Sequence, residues 1–174
     1  MKEFLNKYKA EIITIAIMIV AGTCMHFVCD IFKDETAVKV LGVLFPVNET
    51  SWEHMKMLWY PFLVAGIVWA FKKKDAGYFG GFVIGGFVAM LVMIGLFAFY
   101  QSFTGTSVLA LDIPLFILVM IFCSMLAFLL AKQPWCKKGF IAWFVFAVII
   151  TASIIYLTYQ PGNGYLFLDD EGLE

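Results

Sequence analysis

The sequence predicts an all-α protein, a polytopic bundle of membrane-spanning helices in a single domain over residues 1–174. Three observations support this prediction: 63% of the residues are hydrophobic, only 14% are charged, and the apolar residues are grouped in long runs. A soluble domain is about half apolar and about a quarter charged, and its core could not bury this much apolar surface. The net charge of −1, without an extended basic run, excludes nucleic-acid binding on electrostatic grounds.

Five apolar runs are long enough to cross a bilayer, since a hydrocarbon core of about 30 Å requires roughly 17 to 25 residues of helix. In chain order, the predicted spans are residues 12–32, 55–71, 78–100, 108–131 and 140–159. Pro61 lies inside the second span and is expected to bend that helix and to free the carbonyl group near residue 57. Residues 38–47 are apolar but too few to span, so they predict a re-entrant or interfacial segment.

The distribution of lysines predicts the orientation of the chain. Nine of the 12 lysines lie in the N-terminal tail and in the loops 72–77 and 132–139, which share one side of a five-span chain. Lysines are enriched on the cytoplasmic side, so we expect a plasma-membrane protein with its N-terminus inside and its C-terminus outside. The acidic, amphiphilic tail 160–174 is expected to fold onto the outer face.

The third predicted span carries a doubled pattern of small residues. Its glycines are Gly80, Gly81, Gly85 and Gly86. Such small-xxx-small patterns let two helices approach closely where lipid supplies no hydrophobic drive. We therefore expect a tight helix contact on this face, and a homodimer through it is one prediction.

Polar residues are grouped at the outer end of the first span. His26 and Asp30 are four residues apart, one helical turn, and Thr23 lies close to the same stripe. A histidine and a carboxylate are costly in lipid, so we expect this stripe to face the bundle interior or a water-filled cavity. A helix-end aspartate that simply hydrogen-bonds to the histidine would also explain the pair.

The segment 45–56 (FPVNETSWEHMK) is far more polar than the rest of the chain. Thr50 and Glu53 have the spacing of a capping box at a helix start. This capping role does not explain Glu49 and His54. If the helix faces the first span, its carboxylates and its imidazole meet His26 and form one site.

Imidazole and carboxylate groups on adjacent helices suit a divalent metal such as zinc or manganese, or an acid–base pair. The candidate ligands are His26, Asp30, Glu49, Glu53 and His54, and the candidate acid–base pair is Glu53 with His54. Secondary candidates are Asn48, Trp52, Asp112 and Asp169. Asp112 either caps the fourth span or approaches the site from outside, and the tail is expected to bring Asp169 towards it.

One segment resembles a known family. The residues Pro46, Val47, Asn48, Glu49, Thr50, Trp52, Glu53, His54 and Lys56 follow a histidine in the first helix. This arrangement is similar to that of a family of small, uncharacterised bacterial multi-pass membrane proteins with the segment Pro-Val-Asn-Glu-Ser-x-Trp-Glu-His-x-Lys. The end of the chain also resembles that family, although Asp170 stands where proline is usual. The resemblance implies a membrane protein and the importance of these residues, but no activity.

Three functions are compatible with these features. The first is a metal-assisted hydrolase or transferase that acts on a lipid-type substrate at the extracytoplasmic face. The second is a small transporter in which the same residues bind a cation or relay protons, as the interrupted second span would allow. The third is a membrane partner subunit with no chemistry of its own.

Overall fold

A computed structural model of the protein describes residues 6–31 and 35–167, without the side chains of Cys29, Asp30, Glu35, Ala37, Val38 and Tyr165. Within those ranges all regular secondary structure is helical, which confirms the predicted all-α class. The elements are α1 (Lys9–His26), α2 (Val28–Ile31), α3 (Glu35–Leu41), α4 (Ser51–Lys73), α5 (Gly77–Thr104), α6 (Leu109–Leu130), α7 (Pro134–Lys138), α8 (Phe140–Tyr159) and a 3-10 helix (Tyr165–Phe167).

Four of the described helices, α1, α5, α6 and α8, are long and apolar enough to cross a membrane. The second predicted span, 55–71, lies within α4, which is not among these four. Glu53, His54 and Lys56 in the first turns of α4 make it more polar than the others. It is nevertheless packed well inside the bundle, because 11 of its 23 residues are buried.

The region between α1 and α4 is more broken than predicted. The first predicted span ran to residue 32, but α1 ends at His26 and Phe27 separates it from α2. The predicted re-entrant or interfacial segment, 38–47, consists of the end of α3 and the turn that follows Leu41. Backbone hydrogen bonds from Leu44 and Phe45 to the Leu41 carbonyl close this turn.

The glycines of α5 provide close helix contacts within the chain. A Cβ on Gly81 would lie 2.5 Å from the Ala127 carbonyl oxygen of α6, and one on Gly86 would lie 2.8 Å from Phe62 of α4. Gly80 and Gly85 are covered in the same way by α6, α7, α8 and α4. The predicted close-packing role is therefore present, with other helices of the same chain covering these glycines, and the homodimer stays a prediction.

Antiparallel packing gives the bundle two chemically different ends. At one end, which we call the lysine end, are Lys7, Lys9, Lys72, Lys73, Lys74, Lys132, Lys137 and Lys138, and Lys137 pairs with Asp75 at 3.7 Å. A hydrogen bond of 3.0 Å from Trp69 to Thr14 joins α4 to α1 nearer this end. We call the opposite end the histidine end. There His26 is the last residue of α1, and His54 lies in the first turn of α4.

Pro61 lies inside a continuous α4 and is buried. Proline has no N–H to donate to the carbonyl four residues earlier, which is that of Met57. Gly22 of α1 packs against this carbonyl, where a Cβ would lie only 2.6 Å from the oxygen. The freed carbonyl thus marks a close approach of α1 to α4.

Candidate metal centre

A cavity of about 320 Å³ lies at the histidine end between α1, α4, α5 and α6. Its polar lining includes His26, Glu49, His54, Tyr100, Ser107 and Asp112. Towards the middle of the bundle the lining becomes apolar, with Met57, Leu58, Met93, Phe97 and Phe116. The cavity is therefore amphipathic, with its polar groups near the surface of the bundle.

Three of the predicted site residues converge in this cavity. The carboxylate of Glu49 is 3.5 Å from Nε2 of His54 and 3.8 Å from Nε2 of His26. The two imidazole rings have centroids 5.2 Å apart, and one ligand atom from each residue lies within 4.8 Å of the others. Ligands of a tetrahedral zinc ion are about 3.3 Å apart, so a small closure of the three side chains would suffice to hold one.

The hydrogen bonding of His54 orients its ring towards the cavity. Its Nδ1 lies 2.8 Å from the carbonyl oxygen of Thr50, one turn earlier in the chain. The carbonyl can only accept, so Nδ1 carries a proton, and Nε2 lies on the side of Glu49. There Nε2 donates to the carboxylate when it is protonated and offers a lone pair to a metal ion when it is not. A backbone hydrogen bond of this kind is the usual support of a histidine that ligates a metal.

Local capping places Glu49 just before α4. The side-chain oxygen of Asn48 accepts two hydrogen bonds from Thr50, one from its hydroxyl at 2.7 Å and one from the Thr50 backbone N–H at 3.2 Å. Thr50 in turn accepts from the backbone N–H of Glu53, as the capping-box spacing predicted. Glu49 is held between these residues, and a side-chain hydrogen bond from His54 lowers the pKa of its carboxyl below the ordinary value.

The turn before Glu49 is fastened to α4 by a buried ion pair. Lys56, fully buried, donates to the Glu53 carboxylate at 2.6 Å and to the carbonyl oxygens of Gly42 at 2.7 Å and Phe45 at 3.2 Å. Glu53 also accepts from the Val47 N–H at 2.9 Å. The hydroxyl of Thr158 on α8 donates a hydrogen bond of 2.8 Å to the other carboxylate oxygen of Glu53.

Glu53, predicted as a candidate ligand and as a member of the acid–base pair, does not line the cavity in the structure. Both of its oxygens are engaged by Lys56, Val47 and Thr158, and its side chain is 2% exposed. A carboxylate so engaged is not available to a metal or a substrate in the cavity. The spacing of Glu53 and Lys56 allows an ion pair, but it does not show that the pair is buried inside the bundle.

Asp112 occupies the opposite wall of the cavity. It accepts hydrogen bonds from the hydroxyl of Tyr100 on α5 and, at 3.0 Å, from that of Ser107. These bonds tie the end of α5 to the start of α6, so Asp112 both stabilises the helix connection and lines the cavity. By sequence Tyr100 does not differ from an interface anchor, because an aromatic residue near a helix end is usual in a membrane protein.

The other predicted residues have different positions. Asn48 is a capping residue, and the ring of Trp52 packs on Phe167 of the 3-10 helix with centroids 5.4 Å apart. This contact brings the described part of the predicted tail, up to residue 167, against the start of α4. The side chain of Asp30 and the whole of Asp169 lie outside the described residues.

The donor set of His26, Glu49 and His54 fits a divalent metal ion. Two imidazoles and one carboxylate are a known catalytic set for zinc, in which a water or a substrate takes the fourth position. Here the fourth position would face the cavity, because all three residues line it. Nδ1 of His26 is buried without a hydrogen-bond partner, which leaves its ring orientation less constrained than that of His54.

The helices and this cluster together define a class of protein: an all-helical chain with four membrane-length apolar helices and a His–Glu–His group able to hold a metal ion. A family model described as a family of unknown function (DUF6512) matches residues 1–172, and the chain belongs to this family. This agrees with the resemblance to an uncharacterised family. No curated protein matches the chain, and no solved structure matches it.

Proposed function

We propose that this protein is a metal-dependent membrane hydrolase or transferase that acts on a lipid-type substrate at the extracytoplasmic face. The observation that carries the proposal is the convergence of His26, Glu49 and His54 on one wall of an amphipathic cavity. Zinc and manganese are the candidate ions, since both accept imidazole and carboxylate ligands.

The proposal includes α4 as a fifth membrane span. A helix of 23 residues is about 34 Å long, enough to cross a hydrocarbon core of about 30 Å. The charges of Glu53 and Lys56 compensate each other within the bundle, which removes the main objection to placing them near the membrane. Five spans then put the lysine end in the cytoplasm and the histidine end outside.

The chain's own groups supply the acid–base part of the reaction. A bound divalent ion would lower the pKa of a water molecule to about 7 and polarise the group under attack. Asp112 is the carboxylate assigned to accept the proton released from that water, because it lines the cavity and its partners are the neutral hydroxyls of Tyr100 and Ser107 rather than a buried lysine. In hydrolysis the water oxygen forms the new bond, the bond to the leaving oxygen breaks, and that oxygen takes a proton; in a transferase an acceptor hydroxyl replaces the water.

The test is the metal content of the full chain, purified in detergent and loaded with zinc or manganese. We expect one equivalent of metal per chain, and a loss of affinity of about 100-fold or more in His26→Ala, Glu49→Gln and His54→Ala. Glu11→Gln, on α1 but at the lysine end, is the matched control and should bind like the wild type. Absence of stoichiometric metal in the wild type, or equal binding in all five proteins, would overturn the proposal.

A further inference from the structure

The cavity continues from the histidine cluster into an apolar cleft between the helices. Met57 of α4, Met93 and Phe97 of α5 and Phe116 of α6 form this deeper lining. Each of these residues is less than a tenth exposed. The polar groups at the cluster and the apolar lining below it therefore belong to one continuous space.

Among the described residues, this cavity extends to the surface of the bundle between the end of α1 and the start of α6. These two helices are in close contact lower down, where a Cβ on Gly22 would lie 2.7 Å from the Phe116 ring. Above that contact the cavity is bordered by Phe27, Leu109 and Ile113, which are 52%, 67% and 51% exposed. If α1 and α6 span the bilayer, this opening faces lipid chains rather than water.

We propose that the cavity binds a single-chain amphiphile, whose oxygen-bearing head group binds at His26, Glu49 and His54 and whose alkyl chain lies along Met57, Met93 and Phe97. The chain would arrive from the bilayer through the opening between α1 and α6. A volume of about 320 Å³ is at the lower end of the range of small-molecule sites, which favours one alkyl chain over two. This inference rests on the proposed metal site and specifies the substrate class for it.

Alkyl hydroxamates test the head-group site and the alkyl-binding cleft separately. Their head group chelates zinc through two oxygens, and their chain length can be varied. On the zinc-loaded full chain, we expect affinity to rise about fourfold for each methylene group buried, from acetohydroxamate through hexano- to decanohydroxamate. Competition binding in one fixed detergent measures the series.

Filling the cleft should remove the gain in affinity that a longer alkyl chain gives, without changing the affinity for the head group. Met93→Trp and the milder Met93→Phe are expected to bind acetohydroxamate like the wild type and to lose at least tenfold in affinity for decanohydroxamate. Leu91→Trp, on the outer surface of the same helix, is the matched control and should keep the full gain. Thermal unfolding of each variant identifies those that fail to fold, and the milder variant keeps the test decisive.

The possible failures are distinguishable. If the protein does not bind stoichiometric zinc, the metal site and this inference both fail. If zinc binds but acetohydroxamate does not, the bound zinc has no open position and this inference fails while zinc binding stands. If acetohydroxamate binds but chain length has the same effect in the wild type, Met93→Trp and Met93→Phe, the gain reflects partition into detergent. In that case the alkyl-binding cleft is wrong and the metal site stands.

Discussion

At the scale of single residues, two glutamates four positions apart have opposite roles. Glu49 precedes α4, its side chain is 61% exposed, and its carboxylate lies beside both imidazoles. Glu53 is inside the helix and 2% exposed, with Lys56 as its partner. The proposed chemistry depends on this difference, because Glu49 lines the cavity beside the two histidines and Glu53 does not.

The two glutamates should respond differently to removal of their charge. Glu49→Gln is expected to weaken zinc binding by about 100-fold while the metal-free protein unfolds as the wild type does. Glu53→Gln leaves Lys56 buried without its counter-charge and should destabilise the fold by about 3–5 kcal/mol. Zinc isotherms and chemical unfolding in detergent measure the two effects, and a Glu53→Gln variant with wild-type stability would contradict the assigned roles.

The pH dependence of metal binding should come from imidazole rather than from carboxylate. Metal binding requires unprotonated ligands, and ordinary imidazoles take up protons below about pH 6.5. The pKa of Glu49 is lowered, so protons compete for its carboxylate only below its ordinary value of 4.5. We expect zinc affinity to fall at least tenfold between pH 8 and pH 5.

Isotherms at pH 8, 7, 6 and 5 test this dependence, with His54→Ala as the comparison. That variant has one imidazole fewer to deprotonate and should show a shallower fall in affinity as the pH decreases. Zinc affinity that does not change over this range would show that the two histidines are not ligands.

At the scale of elements, the contact between α5 and α6 depends on the absence of side chains. A Cβ on Gly81 would be 2.5 Å from the Ala127 carbonyl oxygen and 2.6 Å from the Ala131 nitrogen, both backbone atoms that cannot move aside without shifting α6. Gly95, on the same helix, has no atom within 4 Å of such a Cβ. The helix therefore contains its own control for glycine substitution.

Gly81→Ala should destabilise the protein, whereas Gly95→Ala should leave it unchanged or stabilise it by up to about 1 kcal/mol, the difference in helix propensity. We expect Gly81→Ala to cost about 1–3 kcal/mol, as overpacking of a tight contact usually does. Unfolding in detergent measures both variants. Equal effects at the two positions would show that α5 and α6 are not packed through Gly81.

The helix boundaries also show which parts of the secondary structure can be predicted from sequence patterns. The hydropathy of α5, α6 and α8 was enough to predict them closely. The end of α1 at His26 and the short α2 and α3 were not predicted, because an apolar run shows length and not where the backbone turns. The capping residues Asn48 and Thr50 marked the start of α4 because their side chains satisfy backbone groups locally.

At the scale of the whole molecule, antiparallel packing separates the lysine end of the bundle from the end that carries the candidate metal site. Lysines gather at one end, and the cluster and its cavity lie at the other. In the proposed topology, this separation places the site at the outer surface of the membrane, where it can receive lipid-type substrates while cytoplasmic lysines hold the orientation.

Cysteine labelling from outside the cell tests this topology. With the native cysteines replaced, Gly162→Cys, beyond the end of α8, should react in intact cells with a membrane-impermeant maleimide. Asp75→Cys, between α4 and α5 at the lysine end, should react only after the membrane is permeabilised. The reverse pattern would invert the orientation, and labelling of both positions in intact cells would contradict a bundle that crosses the membrane.

Composition and periodicity alone determined that this chain is helical and of the membrane type, because apolar runs and capping residues act through neighbours in the sequence. They also indicated His26, Glu49 and His54 as candidates. Only the tertiary structure decided that these three meet, that Lys56 withdraws Glu53 from the site, and that helices of the same chain cover the glycines of α5. These outcomes depend on how helices distant in sequence pack against each other, which no local pattern encodes.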